Sequence, residues 1–142
     1  MKARVLIVDD ETKFVDYLRK RMENRGLTVS VASNGEEALQ TLSEQAQDVV
    51  VLDVLMPGMD GIATLREIKK RDALVEVIML TGHASVESAI DGMKLGAYDY
   101  LMKPCEIDDL VDKIRKAFAR KTEHEERIQQ ARIKELSTRR GL

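Results

Sequence analysis

The sequence predicts an α/β protein: a doubly wound, five-stranded parallel sheet in the order 2-1-3-4-5, with helices on both faces. Three observations carry this. Val5-Leu6-Ile7-Val8, Val49-Val50-Val51-Leu52 and Val77-Ile78-Met79-Leu80 are apolar on consecutive residues, as strands buried on both faces must be. Thr28-Val29-Ser30-Val31 and Ala97-Tyr98-Asp99-Tyr100-Leu101 alternate instead, the pattern of half-buried edge strands. A helical pattern fills every gap between these runs, and strict strand–helix alternation builds a parallel sheet covered on both sides.

Each helix is legible from its spacing. Phe14, Leu18 and Met22 recur every four residues, and Gly26 supplies a stop. Ser33-Asn34 caps a helix with the stripe Ala38, Leu39, Leu42 and Ala46. Ile62, Leu65 and Ile68 mark a third helix. Val86, Ala89, Ile90 and Met93, closed by Gly96, mark a fourth, and Ile107, Leu110, Val111, Ile114 and Phe118 a fifth. With the second and fifth strands at the edges, the first and third lie side by side. Ligands of such folds bind there, beyond the carboxyl ends of the strands.

The residues just past those ends are Asp9-Asp10, Asp53 and Thr81, with Lys103-Pro104 after the fifth strand. Taken singly, each has an ordinary explanation: a turn-forming Asp, a strand Thr, a solvated Lys. Together they are three carboxylates on one rim, which repel unless a cation sits among them. The cation such donors suit is hard and divalent, Mg²⁺, which uses few carboxylates and shares a phosphate. A carboxylate can also attack phosphorus to form an aspartyl-phosphate. That transfer needs positioning and charge neutralisation. The Lys103 ammonium and the Thr81 hydroxyl supply both.

VLIVDDE (5–11), VLDVLMPGMDG (51–61), MLTGHAS (79–85) and YDYLMKP (98–104) resemble, in that order and spacing, the receiver domain of two-component response regulators. The resemblance covers residues 4–118. It implies a flavodoxin-like fold with Asp53 as phosphoacceptor. It further implies Mg²⁺ held by Asp9, Asp10, Asp53 and the backbone carbonyl of Leu55, with Asp10 a direct ligand and Asp9 acting through water or orientation. Thr81 and Lys103 would contact the phosphoryl group, and Thr81 and Tyr100 would form the switch. Pro57 and Gly58 would shape the loop after Asp53, Gly61 would open the next helix, and Lys103–Pro104 would be cis. Leu55 and His83 occupy positions that tune phosphoryl lifetime, and an apolar Leu55 orients no water. The domain is then a signalling module rather than an enzyme. A phosphatase using an aspartate nucleophile would place a second Asp where Leu55 stands. The partners implied are a sensor histidine kinase, a downstream protein or output domain, and a second copy once phosphorylated.

Bulk composition agrees. The chain has 142 residues, net charge −2 and one cysteine, Cys105. That suits one domain in a reducing, cytoplasmic setting, without a nucleic-acid or membrane surface. Residues 1–120 are net acidic and form the expected receiver domain. Residues 121–142 are net basic and rich in helix formers, so the fifth helix is expected to continue to about Leu136 as a charged helical extension or linker.

Overall fold

The computed structural model describes residues 2–54, 60–82 and 86–139. The strands are β1 (Arg4–Val8), β2 (Thr28–Ala32), β3 (Val49–Leu52), β4 (Glu76–Thr81) and β5 (Asp99–Met102). The helices are α1 (Thr12–Asn24), α2 (Gly35–Glu44), α3 (Gly61–Arg71), α4 (Val86–Lys94) and α5 (Ile107–Arg139). All strand pairings are parallel and the order is β2-β1-β3-β4-β5, as the apolar runs predicted.

Alternate residues of β1 feed two separate cores. Val5 and Ile7 pack with Val15, Leu18 and Met22 of α1 and with Leu110 and Ile114 of α5. Leu6 and Val8 face Leu39 of α2 and Leu65 and Ile68 of α3. Nearly all of these side chains are fully buried, each contributing about 1.5–3 kcal/mol of transfer free energy. The helix caps are local. The side chain of Asn34 accepts from Glu37 N at 2.9 Å, and that of Asp60 from Ala63 N at 2.8 Å.

Five side chains depart from expectation. Ala46 lies past the end of α2 and is exposed, because the chain turns out there to enter β3. Val31, on the edge strand, is 40% exposed rather than covered. Ile90 and Met93 of α4 face solvent; what seats that helix is Gly92, where an added Cβ would fall 2.1 Å from Met79 Cε. A larger residue there would have to displace the Met79 thioether end, the flexible tip of a side chain buried in the second core. Lastly, Lys121, the first residue of the expected charged extension, is buried and holds Asp48 at 3.0 Å. Beside it Arg120 pairs with the buried Glu76 and stacks over Tyr98. Two cations at consecutive positions of α5 thus neutralise two carboxylates at the amino end of the sheet. The helix then continues, without a break, to Arg139.

Candidate functional site

The rim at the carboxyl end of the sheet is assembled by backbone hydrogen bonds between strand ends. Asp9 N donates to Ala32 O (3.1 Å), Asp53 N to Val8 O (2.9 Å) and Lys103 N to Thr81 O (3.0 Å). Asp9, Asp53 and Lys103 are therefore each the first residue beyond a paired strand, Asp10 is the second, and Thr81 is the last within its strand. The same geometry puts their side chains together although they are up to 94 residues apart.

Asp9, Asp10 and Asp53 bring one carboxylate oxygen each to within 4.8 Å of one another. Asp9 and Asp53 are both 5% exposed and Thr81 is fully buried, whereas Asp10 opens to solvent. Backbone donation from Glu11 N to Asp9 Oδ1 at 2.9 Å fixes the first carboxylate. The Lys103 ammonium lies inside the group: 2.7 Å from Asp9 Oδ2, 3.6 Å from Glu11 Oε1 and 3.8 Å from Asp53 Oδ2. Burial works against its charge. The hydrogen bond to Asp9 and the charges of Asp9, Asp53 and Glu11 outweigh burial and hold the amine above its ordinary range. The lysine is thus a committed cation at neutral pH. The Lys103–Pro104 bond is cis, as the resemblance implied.

Tyr100 stands opposite Met79 in the β4–β5 register. Its ring is half-buried against the second core and its hydroxyl oxygen is buried without a well-formed hydrogen bond among the described residues. Burial pushes the phenol up, and the neighbouring Ser88 of α4 partly offsets this. Gly61 closes the site from below. A Cβ there would lie 2.4 Å from both Asp53 O and Val54 Cα, so α3 starts directly against the backbone that follows β3. Cys105 packs on the first core, and burial pushes its thiol up, away from the reactive thiolate. The expected roles of Leu55, Pro57, Gly58 and His83 lie outside the described residues.

Two neighbours of the lysine escaped the sequence reading. Glu11 was legible only as the residue after Asp9-Asp10. Phe14, read as one position of the α1 stripe, places its ring 4.3 Å from Lys103 Nζ.

Residues 5–115 match the family described as the response regulator receiver domain. The chain belongs to that family. This receiver is 41% identical over 115 residues to the transcriptional regulatory protein ZraR of Escherichia coli, covering 81% of this chain and 26% of ZraR. It is 39% identical to the transcriptional regulatory protein YkoG of Bacillus subtilis, covering 82% of this chain and 51% of YkoG. It thus spans about a quarter to a half of the curated relatives it matches. Among solved structures, a CheY-like receiver domain protein from Methanospirillum hungatei superposes with a TM-score of 0.84 at 30% identity, over 87% of this chain and 99% of that one. NtrX from Brucella abortus does so with a TM-score of 0.85 at 31% identity, over 92% and 30% respectively. The receiver is therefore a signalling module of two-component systems, with the flavodoxin-like fold. Among the described residues no helix is long and apolar enough to cross a membrane.

Proposed function

We propose that this receiver takes a phosphoryl group from a sensor histidine kinase onto Asp53, in a Mg²⁺-dependent step, and passes the signal through the α4–β5–α5 face. The observation that carries the reading is the ammonium of Lys103 set between Asp9 and Asp53 in a single acidic pocket. Three oxygen donors within 4.8 Å fit a hard divalent ion, so Asp9, Asp10 and Asp53 would hold Mg²⁺, together with the expected Leu55 carbonyl. When bound, the ion supplies positive charge for the phosphoryl oxygens.

The remaining chemistry belongs to the chain. A lone pair on Asp53 Oδ attacks phosphorus, the new P–O bond forms, and the P–N bond of the donor phosphohistidine breaks. Its electron pair leaves with the imidazole, which takes a proton from solvent. Lys103 is a mobile point charge that moves from Asp9 to the incoming oxygens. Thr81, buried at the end of β4, turns its hydroxyl to donate to another of them. That movement opens space beside β5, and Tyr100 settles inward. An inward Tyr100 hydroxyl is already a feature of this structure, in keeping with a phosphoryl group that selects an accessible conformer. The face so altered carries exposed Ile90, Met93 and Met102, suited to a partner protein or a second copy. On this reading residues 1–120 are the receiver. Residues 121–142 are a charged extension toward a cytoplasmic partner or output domain, and the receiver itself makes no contact with nucleic acid or membrane.

Incubation with acetyl phosphate and Mg²⁺ followed by intact-mass measurement tests the core claim. The wild type gains one phosphoryl mass and Asp53→Asn gains none. An equal gain in Asp53→Asn would place the chemistry elsewhere.

A further inference from the structure

We infer that Phe14 is a positioning residue for this transfer: the face of its ring is the seat that keeps the Lys103 ammonium between the carboxylates. The inference rests on Asp53 being the phosphoacceptor. Lys103 reaches the pocket on a flexible four-carbon stem, which fixes nothing by itself. Among the described residues its ammonium has four close neighbours. Three are carboxylates, Asp9 at 2.7 Å, Glu11 at 3.6 Å and Asp53 at 3.8 Å; the fourth is the Phe14 ring, 4.3 Å to its centroid.

An ammonium within about 6 Å of an aromatic face is drawn to the negative face of the ring, more strongly where water is excluded. Here the lysine side chain is only 13% exposed, so the attraction is little screened. The ring also differs in kind from the other three neighbours. It is neutral, so its pull on the lysine persists when the charges of the carboxylates are taken up by other groups in the pocket. With the carboxylates alone the ammonium would sit on Asp9, its nearest anion, and would have no fixed place once Asp9 was engaged elsewhere. Phe14 can serve as a fixed seat because of where it comes from. It lies in the first turn of α1, which starts three residues past Asp9, and it packs against the first core. Core packing accounts for a large apolar residue at this position. It does not account for an aromatic face turned to a cation, since Leu would fill the same space.

Phe14→Leu keeps the apolar volume and removes the ring, while Phe14→Tyr keeps the ring; Phe14→Met replaces the Leu variant should that fail to fold. In wild-type protein the Lys103 ε-methylene protons are expected to show an upfield ring-current shift by NMR. The shift is lost in Phe14→Leu and kept in Phe14→Tyr. With acetyl phosphate and saturating Mg²⁺, Phe14→Leu is expected to phosphorylate about three- to tenfold more slowly, in the range of a partly desolvated cation–aromatic contact. Phe14→Tyr should return most of that rate. Folded Phe14→Leu protein that reacts at the wild-type rate overturns the inference, as do Leu and Tyr variants slowed alike, which would mean packing alone. A wild type that takes no phosphoryl group defeats the proposed function instead. The ring-current comparison then still decides the seat, since a Lys103 methylene shift identical in wild type and Phe14→Leu would rule it out.

Discussion

Asp10→Asn offers the sharpest test of the acidic pocket, because it should raise stability and abolish metal response together. Asp10 shares a 4.8 Å cluster with Asp9 and Asp53, while Lys103 cancels about one of the two neighbouring charges by its contact with Asp9. Asp10 therefore faces a net charge of roughly −1. At 4.8 Å that repulsion is about 0.9 kcal/mol in a water-like dielectric and about 3.5 kcal/mol at an effective dielectric of 20. Because Asp10 is exposed, the lower end applies, so its neutral isostere should be about 1 kcal/mol more stable. For a domain of this size that is a rise of about 3–5 °C in Tm. Magnesium works in the opposite sense: at ten times its Kd it should stabilise the wild type by about 1.4 kcal/mol. Thermal melts in EDTA and in Mg²⁺ should then change the ranking, with the variant ahead without metal and level with or behind the wild type with it. A variant that melts below the wild type in EDTA would refute the repulsion argument. One that responds fully to Mg²⁺ would refute the ligand assignment.

Other substitutions probe neighbouring links. Gly61→Ala forces a Cβ onto the backbone of Asp53 and Val54, so urea unfolding should show a loss of about 1–3 kcal/mol or more, with weakened Mg²⁺ binding; an unchanged midpoint would mean that α3 can shift freely. Lys121→Met leaves Asp48 without its 3.0 Å cation, although Arg4 N still donates to that carboxylate. A loss of about 1–3 kcal/mol is expected in the same unfolding measurement. For pH dependence, burial raises the Asp99 carboxyl, but the hydrogen bond and charge of Lys113 and the Tyr100 N–H prevail and hold it below its ordinary value. Its contribution is thus present above the ordinary carboxylate range and lost as pH falls through the lowered folded value. Asp99→Asn should flatten the acid limb of the stability curve, and an acid limb as steep as wild type would remove Asp99 from the account. Thr81→Ala should still be phosphorylated on Asp53 while losing the phosphorylation-linked chemical-shift changes around Tyr100; if those changes persist, Thr81 and Tyr100 are not coupled.

The sequence by itself determined the strand order and the membership of the rim. Buried parallel strands must be apolar on both faces, so β1, β3 and β4 announce themselves, and the topology then delivers Asp9, Asp53, Thr81 and Lys103 to one end. What it left open were contacts between side chains of different elements, since periodicity reports which face of a helix is apolar and not what that face meets. Ile90 and Met93 have the spacing of core residues, yet Gly92 brings α4 down on a different face. Lys121 opens a segment rich in charge and looks solvated until the sheet presents Asp48 beneath it. Phe14 reads as one more core position, because nothing along the chain says that a lysine 89 residues away will lie over its ring. Such pairings are set by packing across the fold, where distance in sequence no longer measures distance in space.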